Sequence, residues 1–278
     1  MVKKAVVLAA GKGARLAPIT ACVPKELLPI AGFPALHHVI AEAVYGGVSE
    51  VMLVLSKGKE EIEKYFRGSF SPKGETAVRL CEEREKLLEK IKVSFAYQAQ
   101  PLGTGDAILA AKEFAAKDPI FVLYPDDLLG VQARDGFRFL GSSDFDPIRK
   151  MFGIAEKGES VVLVREVPGK DAKNYGVVHA SSESVEDEFV VRRIEEKPPF
   201  YRGERANVLV GRMILAPSVI KALAAFPRRD DVGVIPALNS EAEKGSLVGV
   251  IYRGGTYDLG SHESYYSAVK KSAVFLER

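Results

Sequence analysis

Along the first half of the chain, short unbroken apolar runs alternate with stretches whose apolar residues recur every three or four positions. KKAVVLA (3–9) is such a run, closed by glycine just beyond it, and predicts a buried strand. FPALHHVIAEAVYGG (33–47) puts Leu36, Val39, Ile40 and Ala43 on one face, offers Pro34 for its first turn and stops at Gly46–Gly47, which predicts a helix. EVMLVLS (50–56) predicts a second strand, KGKEEIEKYF a short helix and TAVRLCEEREKLLEKI a helix with a charged, solvated face. KVSFAYQ predicts a third strand, GDAILAAKEFAAK a helix, and PIFVLYPDD a fourth strand ending in acids. This alternation predicts a parallel sheet with helices on both faces.

The second half is richer in strands. SVVLVREV, YGVVHA, FVVRRIEE, ANVLVGRMIL and SLVGVIYRG read as strands; APSVIKALAAF, DVGVIPALNSEAEKG and the closing SHESYYSAVKKSAVFLE read as helices. GVQARDGFRFLGSSDFD (130–146) is the least patterned stretch and reads as a mobile loop. With no Pro/Ser-rich linker and no internal repeat, the chain reads as a single domain over 1–278, with lobes at 1–130 and 131–278. The fold class expected is α/β: a Rossmann-like mixed, mainly parallel sheet flanked by helices, with a smaller mixed β lobe.

Composition narrows the function classes. Lys+Arg is 39 against Asp+Glu 37, too balanced to point to nucleic acid or an anionic membrane. The start, MVKKAVVLAAGKG, breaks too early for a signal-peptide core, and no apolar run approaches a membrane span. Cys22 and Cys81 stand apart, without CxxC or a nearby histidine, which suits a reducing cytoplasm and opposes a structural zinc site. His37, His38, His179 and His262 have neither metal-ligand spacing nor a triad setting, so surface or packing roles are expected.

The chemistry concentrates in AAGKGARLAPITACVPKELLP (9–29). It lacks the G-x-x-x-x-G-K-[ST] of a Walker loop, and Leu16 stands where a dinucleotide fingerprint needs its third glycine. Pro18 opposes an immediate helix. Gly11-x-Gly13 by itself reads equally well as a tight turn. With Arg15 and Lys25 following, the turn can face an anion: backbone N–H groups, a guanidinium fork and a point charge all favour phosphate.

That stretch resembles the signature of the sugar-1-phosphate nucleotidylyltransferases, nearest to the bacterial UTP–glucose-1-phosphate uridylyltransferase family, whose motif runs G-x-G-T-R-x-x-P-x-T and then P-K-E-x-L-P. GKEEIEKYF, QAQPLGTGDAI, YPDDLL, NYGVV, EEKPP, NVLVGRMIL and YDLGS follow in the family's order, so the resemblance spans nearly the whole chain. It implies attack by a sugar 1-phosphate on the α-phosphate of UTP, or of dTTP, with release of pyrophosphate. It implies a nucleotide lobe in which Ala10, Gly11 and Gly13 admit the nucleotide, Arg15 and Lys25 grip the triphosphate, and Gln98 and Gly103 receive the base. It implies Mg²⁺ on Asp126 and Asp258. In the sugar lobe, Asp127, Tyr175, Gly176, Glu196 and Asn207 would line the sugar, and Lys197 would meet its phosphate. Taken without the resemblance, Gln98 reads as an exposed strand end and Glu196–Lys197 as a charged strand end. The family also implies a homo-oligomer, and the closing helix carrying Tyr265, Val269 and Phe275 reads either as a contact surface for it or as a helix packed on its own sheet.

Departures from the family pattern bear on substrate preference more than on reaction type. Ala14 replaces a threonine or serine, Ala21 a lysine, Asp106 a histidine, Pro125 a glycine and Met213 a tyrosine. Uracil and thymine share a Watson–Crick edge, and a methyl group in an apolar pocket discriminates by only about 1–3 kcal/mol. Thymidylyl transfer and other sugar 1-phosphates therefore stay open. A non-catalytic regulatory protein on the same scaffold would be expected to lose the charged residues, which are intact here.

Overall fold

The computed structural model describes residues 1–100, 102–133, 136–139, 146–181, 184–226 and 233–272. In chain order the elements are β1 (Lys4–Ala9), the short strands β2 (Pro29–Ile30) and β3 (Phe33–Pro34), α1 (Ala35–Gly46), β4 (Glu50–Ser56), α2 (Glu60–Arg67), α3 (Glu75–Leu88), β5 (Lys92–Gln98), α4 (Thr104–Ala110), α5 (Lys112–Ala115) and β6 (Ile120–Leu123). Then come β7 (Asp127–Ala133), β8 (Gly136–Phe139), α6 (Asp146–Ala155), β9 (Ser160–Pro168), β10 (Gly176–Ala180), β11 (Glu188–Glu196) and β12 (Arg205–Leu215). The chain continues through α7 (Pro217–Ala225), α8 (Ile235–Glu243), β13 (Leu247–Ile251), β14 (Gly255–Asp258) and α9 (His262–Ser272).

The class is mixed α/β, and two compact units interleave along the chain. One comprises Met1–Lys4, Leu102–Leu123 and Asp146–Arg253; the other comprises Ala5–Pro101, Tyr124–Phe145 and Gly254–Arg278.

In the second unit β1, β4 and β5 lie side by side in that order, with β4 and β5 parallel from Glu50↔Lys92 to Ser56↔Gln98. The apolar runs that signalled these strands are buried: Val6, Val7, Leu53, Val54 and Leu55 have no exposure. Each such side chain contributes roughly 1.5–3 kcal/mol relative to leaving it in water. The same unit holds a three-stranded sheet ordered β14-β7-β8. Part of the stretch expected as a loop is therefore strand: Gly130–Ala133 pairs antiparallel with Gly136–Phe139. Residues 134–135 and 140–145 of that expectation lie outside the described residues, as does the closing helix beyond Ser272, including Phe275.

In the first unit six strands run β10-β11-β13-β9-β12-β6. Here the mainly parallel balance does not hold, since only β9–β13 is parallel and β12 runs antiparallel to both β6 and β9. The cause is local: β10, β11 and β12 follow one another without a crossover helix, and parallel neighbours need such a crossover. The run GDAILAAKEFAAK forms α4 and α5 rather than one helix. Ala111 turns its N–H to Ile108 O at 3.0 Å, a tighter bond that interrupts the helix there. Asn239 of α8 pins that helix to β11, accepting from Ile194 N at 2.7 Å and donating to Ile194 O at 2.9 Å.

Gly169 marks a close crossing within this unit. Its N–H donates to Glu204 O at 2.7 Å, and a Cβ built on it would stand 1.8 Å from Gly203 O. A methyl group must push two backbones apart, so Gly169→Ala is expected to destabilise by about 1–3 kcal/mol or more. Urea denaturation should show a lower midpoint with an unchanged slope.

Candidate functional site

The glycine turn after β1 makes no α-helix. Gly13 sits in the left-handed region at φ 68°, and single 3-10 turns follow at Ala14–Leu16, Ile19–Ala21 and Lys25–Leu27. Thr20 donates to Gly13 O at 3.0 Å and ties the turn back on itself. A Cβ on Gly11 would lie 3.8 Å from Lys25 Nζ, so the lysine ammonium lies beside the loop's first glycine.

Lys25 reaches the carboxylate of Asp126, just before β7, and forms an ion pair with it. Burial works to raise the Asp126 carboxyl, but Lys25 and, more weakly, Arg15 outweigh it and hold the pKa below its ordinary value. Asp126 is thus a carboxylate at neutral pH. Asp258 ends β14 opposite Asp127, and Leu259 N donates to Asp126 O at 2.6 Å, which binds the two acidic strand ends together. Asp258 Oδ1 accepts from Gly260 N at 2.7 Å. A Cβ on Gly260 would fall 2.6 Å from both Arg15 Nη2 and Asp258 Oδ1, so a side chain there would have to displace the guanidinium or the carboxylate from this arrangement. The unit therefore brings Gly11, Gly13, Arg15, Lys25, Asp126, Asp127 and Asp258 together. Ala10 is buried directly beyond β1, and Gln98 is buried at the end of β5 rather than forming an exposed strand end.

The second carboxylate set lies in the other unit. Gly176 pairs with Glu196 across β10–β11, Lys197 N donates to Tyr175 O at 3.0 Å, and Lys197 Nζ stands 3.4 Å from Glu196. Lys197 holds a left-handed backbone at φ 43°. A Cβ on Gly176 would meet Leu209 Cδ1 at 3.0 Å and Glu196 Oε2 at 3.5 Å. Arg165 donates to the Tyr175 hydroxyl at 3.1 Å and fixes its ring. Gly103 precedes α4 at φ 91°, and Asn207 lies on β12 opposite Glu166. Asn207 also lines a cavity of about 560 Å³ with Glu166, Arg192, Arg193 and Arg205.

Asp126 and Asp258 are two carboxylates on adjoining strand ends. Among the described residues no group of three or more His, Cys, Asp or Glu side chains gathers as a metal cage. Two carboxylates suit Mg²⁺, which takes its remaining ligands from water and phosphate. His37 and His38 pack, while His262 is exposed. His37 stacks on Phe33 at 3.9 Å and meets the Tyr65 hydroxyl at 2.8 Å, while His38 Nε2 donates to Ile30 O at 2.9 Å. Burial lowers their pKa values to about 3 and about 4.

Two further residues escaped the sequence reading. Lys59, just before α2, is buried and bonds Ala9 O, Gly11 O and both oxygens of buried Glu26. Burial raises the Glu26 carboxyl and lowers the Lys59 ammonium, each against the attraction of the other. PKE and GKEEIEKYF both stood in the sequence, but no local pattern marks a lysine as buried.

A family model described as nucleotidyl transferase matches residues 4–273. The chain belongs to the nucleotidyl transferase family. This nucleotidyltransferase is similar in sequence to UTP--glucose-1-phosphate uridylyltransferase 2 of Streptococcus pyogenes serotype M3, at 27% identity over 266 residues, covering 93% of this chain and 86% of that protein. Over its whole length it is similar to a crystal structure of UDP-glucose pyrophosphorylase complexed with UDP-glucose, with a TM-score of 0.85, 26% identity and all of that chain covered. A UTP-bound UGPase from Acinetobacter baumannii gives a TM-score of 0.80 at 28% identity, over 100% of this chain and 95% of that one. Among the described residues of this nucleotidyltransferase, no helix is long and apolar enough to cross a membrane.

Proposed function

We propose that this nucleotidyltransferase transfers the uridylyl group of UTP to glucose 1-phosphate, giving UDP-glucose and pyrophosphate. The observation that carries the reading is the gathering of Lys25 with Asp126 and of Arg15 with Asp258 beside the Gly11–Gly13 turn. An in-line displacement at phosphorus gathers charge on phosphoryl oxygens, and its catalysis is mostly positioning and neutralisation. Arg15 and Lys25 supply cations at the triphosphate. Asp126 and Asp258 would hold Mg²⁺, whose charge adds to that neutralisation. Gln98 and Gly103 take the base. Asp127, Tyr175, Gly176, Glu196 and Asn207 take the sugar, and Lys197 its phosphate. The oxygen of the sugar phosphate is already an anion, so no protein nucleophile is required.

The test is a pyrophosphate-release assay with each nucleoside triphosphate against a panel of sugar 1-phosphates. Release with UTP and glucose 1-phosphate above all other pairs is the expected result. Preference for dTTP, or for another sugar, moves the substrate and keeps the reaction; no release with any pair sinks the catalytic reading.

A further inference from the structure

Lys59 sits at the N-cap of α2, and its ammonium is buried between two pieces of chain, the Ala9–Gly11 segment and the turn that carries Glu26. It donates to Ala9 O at 2.7 Å, to Gly11 O at 2.6 Å and to the Glu26 carboxylate at 2.9 and 2.8 Å. An ammonium has three N–H donors, and two carbonyls and a carboxylate use all of them. Lys59 therefore has nothing left to offer a ligand, and its influence passes through the groups it holds.

A trans peptide points its C=O and the following N–H in opposite directions. With the carbonyls of Ala9 and Gly11 drawn to Lys59, the N–H groups of Ala10 and Lys12 are turned to the far side of the loop. Two N–H groups on alternate residues that face one way can donate together to one anion. Glu26, held by the same ammonium, also anchors the single turn Lys25–Leu27 from which Lys25 reaches Asp126.

We propose that Lys59 is a positioning residue for the triphosphate site: by clamping two loop carbonyls and Glu26 it presents the Ala10 and Lys12 N–H groups, and the Lys25 ammonium, to the nucleotide. The proposal rests on reading the glycine turn as the nucleotide site. A lone Lys59→Met change would bury the Glu26 carboxyl without its partner, so the decisive variant removes both charges, as K59M with E26Q.

UTP binding to the full chain is measured by calorimetry with Mg²⁺ and without sugar phosphate, alongside thermal melting and hydrogen exchange of the 9–16 segment. The expected result is a cooperatively melting double variant whose UTP affinity falls on the order of 10-fold or more and whose loop exchanges faster, since misplaced binding groups lose their interaction steeply with distance. A folded double variant with wild-type affinity overturns the proposal, because a merely structural pair would alter melting alone. Should the double variant not fold, Lys59→Arg decides: it keeps the charge opposite Glu26, but a planar fork does not reproduce three tetrahedral donors. Lost UTP affinity in that folded variant supports the clamp; wild-type affinity overturns it. A wild-type protein that binds neither UTP nor dTTP overturns the nucleotide reading itself, and this first measurement separates the two failures.

Discussion

Replacing Asp126 or Asp258 by asparagine is expected to lower nucleotidyl-transfer turnover on the order of 10²-fold or more, because each change removes an anion from a site whose work is charge neutralisation. Asparagine keeps the shape, so both variants should melt as cooperatively as the parent. For Asp126 the folded pKa is depressed. The stability of its pair with Lys25 is therefore fully present above the ordinary carboxylate pKa and is lost as the pH falls through the depressed one. Asp126→Asn should remove that acid-side component while Asp258→Asn leaves it. Near-normal rates for both variants at low Mg²⁺ would sink the assignment of the metal to these two carboxylates.

Arg15→Lys is the second large effect expected. The guanidinium stands against Gly260 beside the Asp258 carboxylate, and an ammonium does not reproduce its planar fork. The loss should appear in kcat if the contact strengthens as pyrophosphate departs, and in KM if it serves ground-state binding equally. Lys197→Ala should behave differently, weakening use of the sugar 1-phosphate while leaving triphosphate affinity near the parent value. Separate binding measurements for the two ligands decide this, and equal defects toward both ligands in both variants would contradict the division of labour.

What the sequence made legible follows from how local each signal is. β4 and β5 have the bounds their apolar runs predict, and Gly47 stops α1 in the left-handed conformation expected of a helix-ending glycine. The strands β7 and β8 were missed because their residues lack strict alternation, although the sequence carries an Asp-Gly dipeptide, Asp135-Gly136, of the kind that signals hairpins. The antiparallel course of β12 depends on which strands it meets, and periodicity cannot report that. At the site, glycines, cations and acids at strand ends could be named because phosphate chemistry demands those residue types. Lys59 and Gly260 could not. The first matters through burial and the second through the absence of a side chain beside Arg15, and both are properties of the assembled chain.

The interleaving of the two units has a consequence for synthesis. Asp126 belongs to a middle segment of its unit, and its neighbour Asp258 to the last one, after the other unit has run its course to Arg253. On a ribosome the carboxylate pair therefore cannot assemble until Asp258 has emerged, after the other unit's last segment. A product ending before Gly255 lacks β14, and β7 then presents an unpaired edge. Termination before Gly255 should yield a sticky, inactive chain instead of a weakened enzyme.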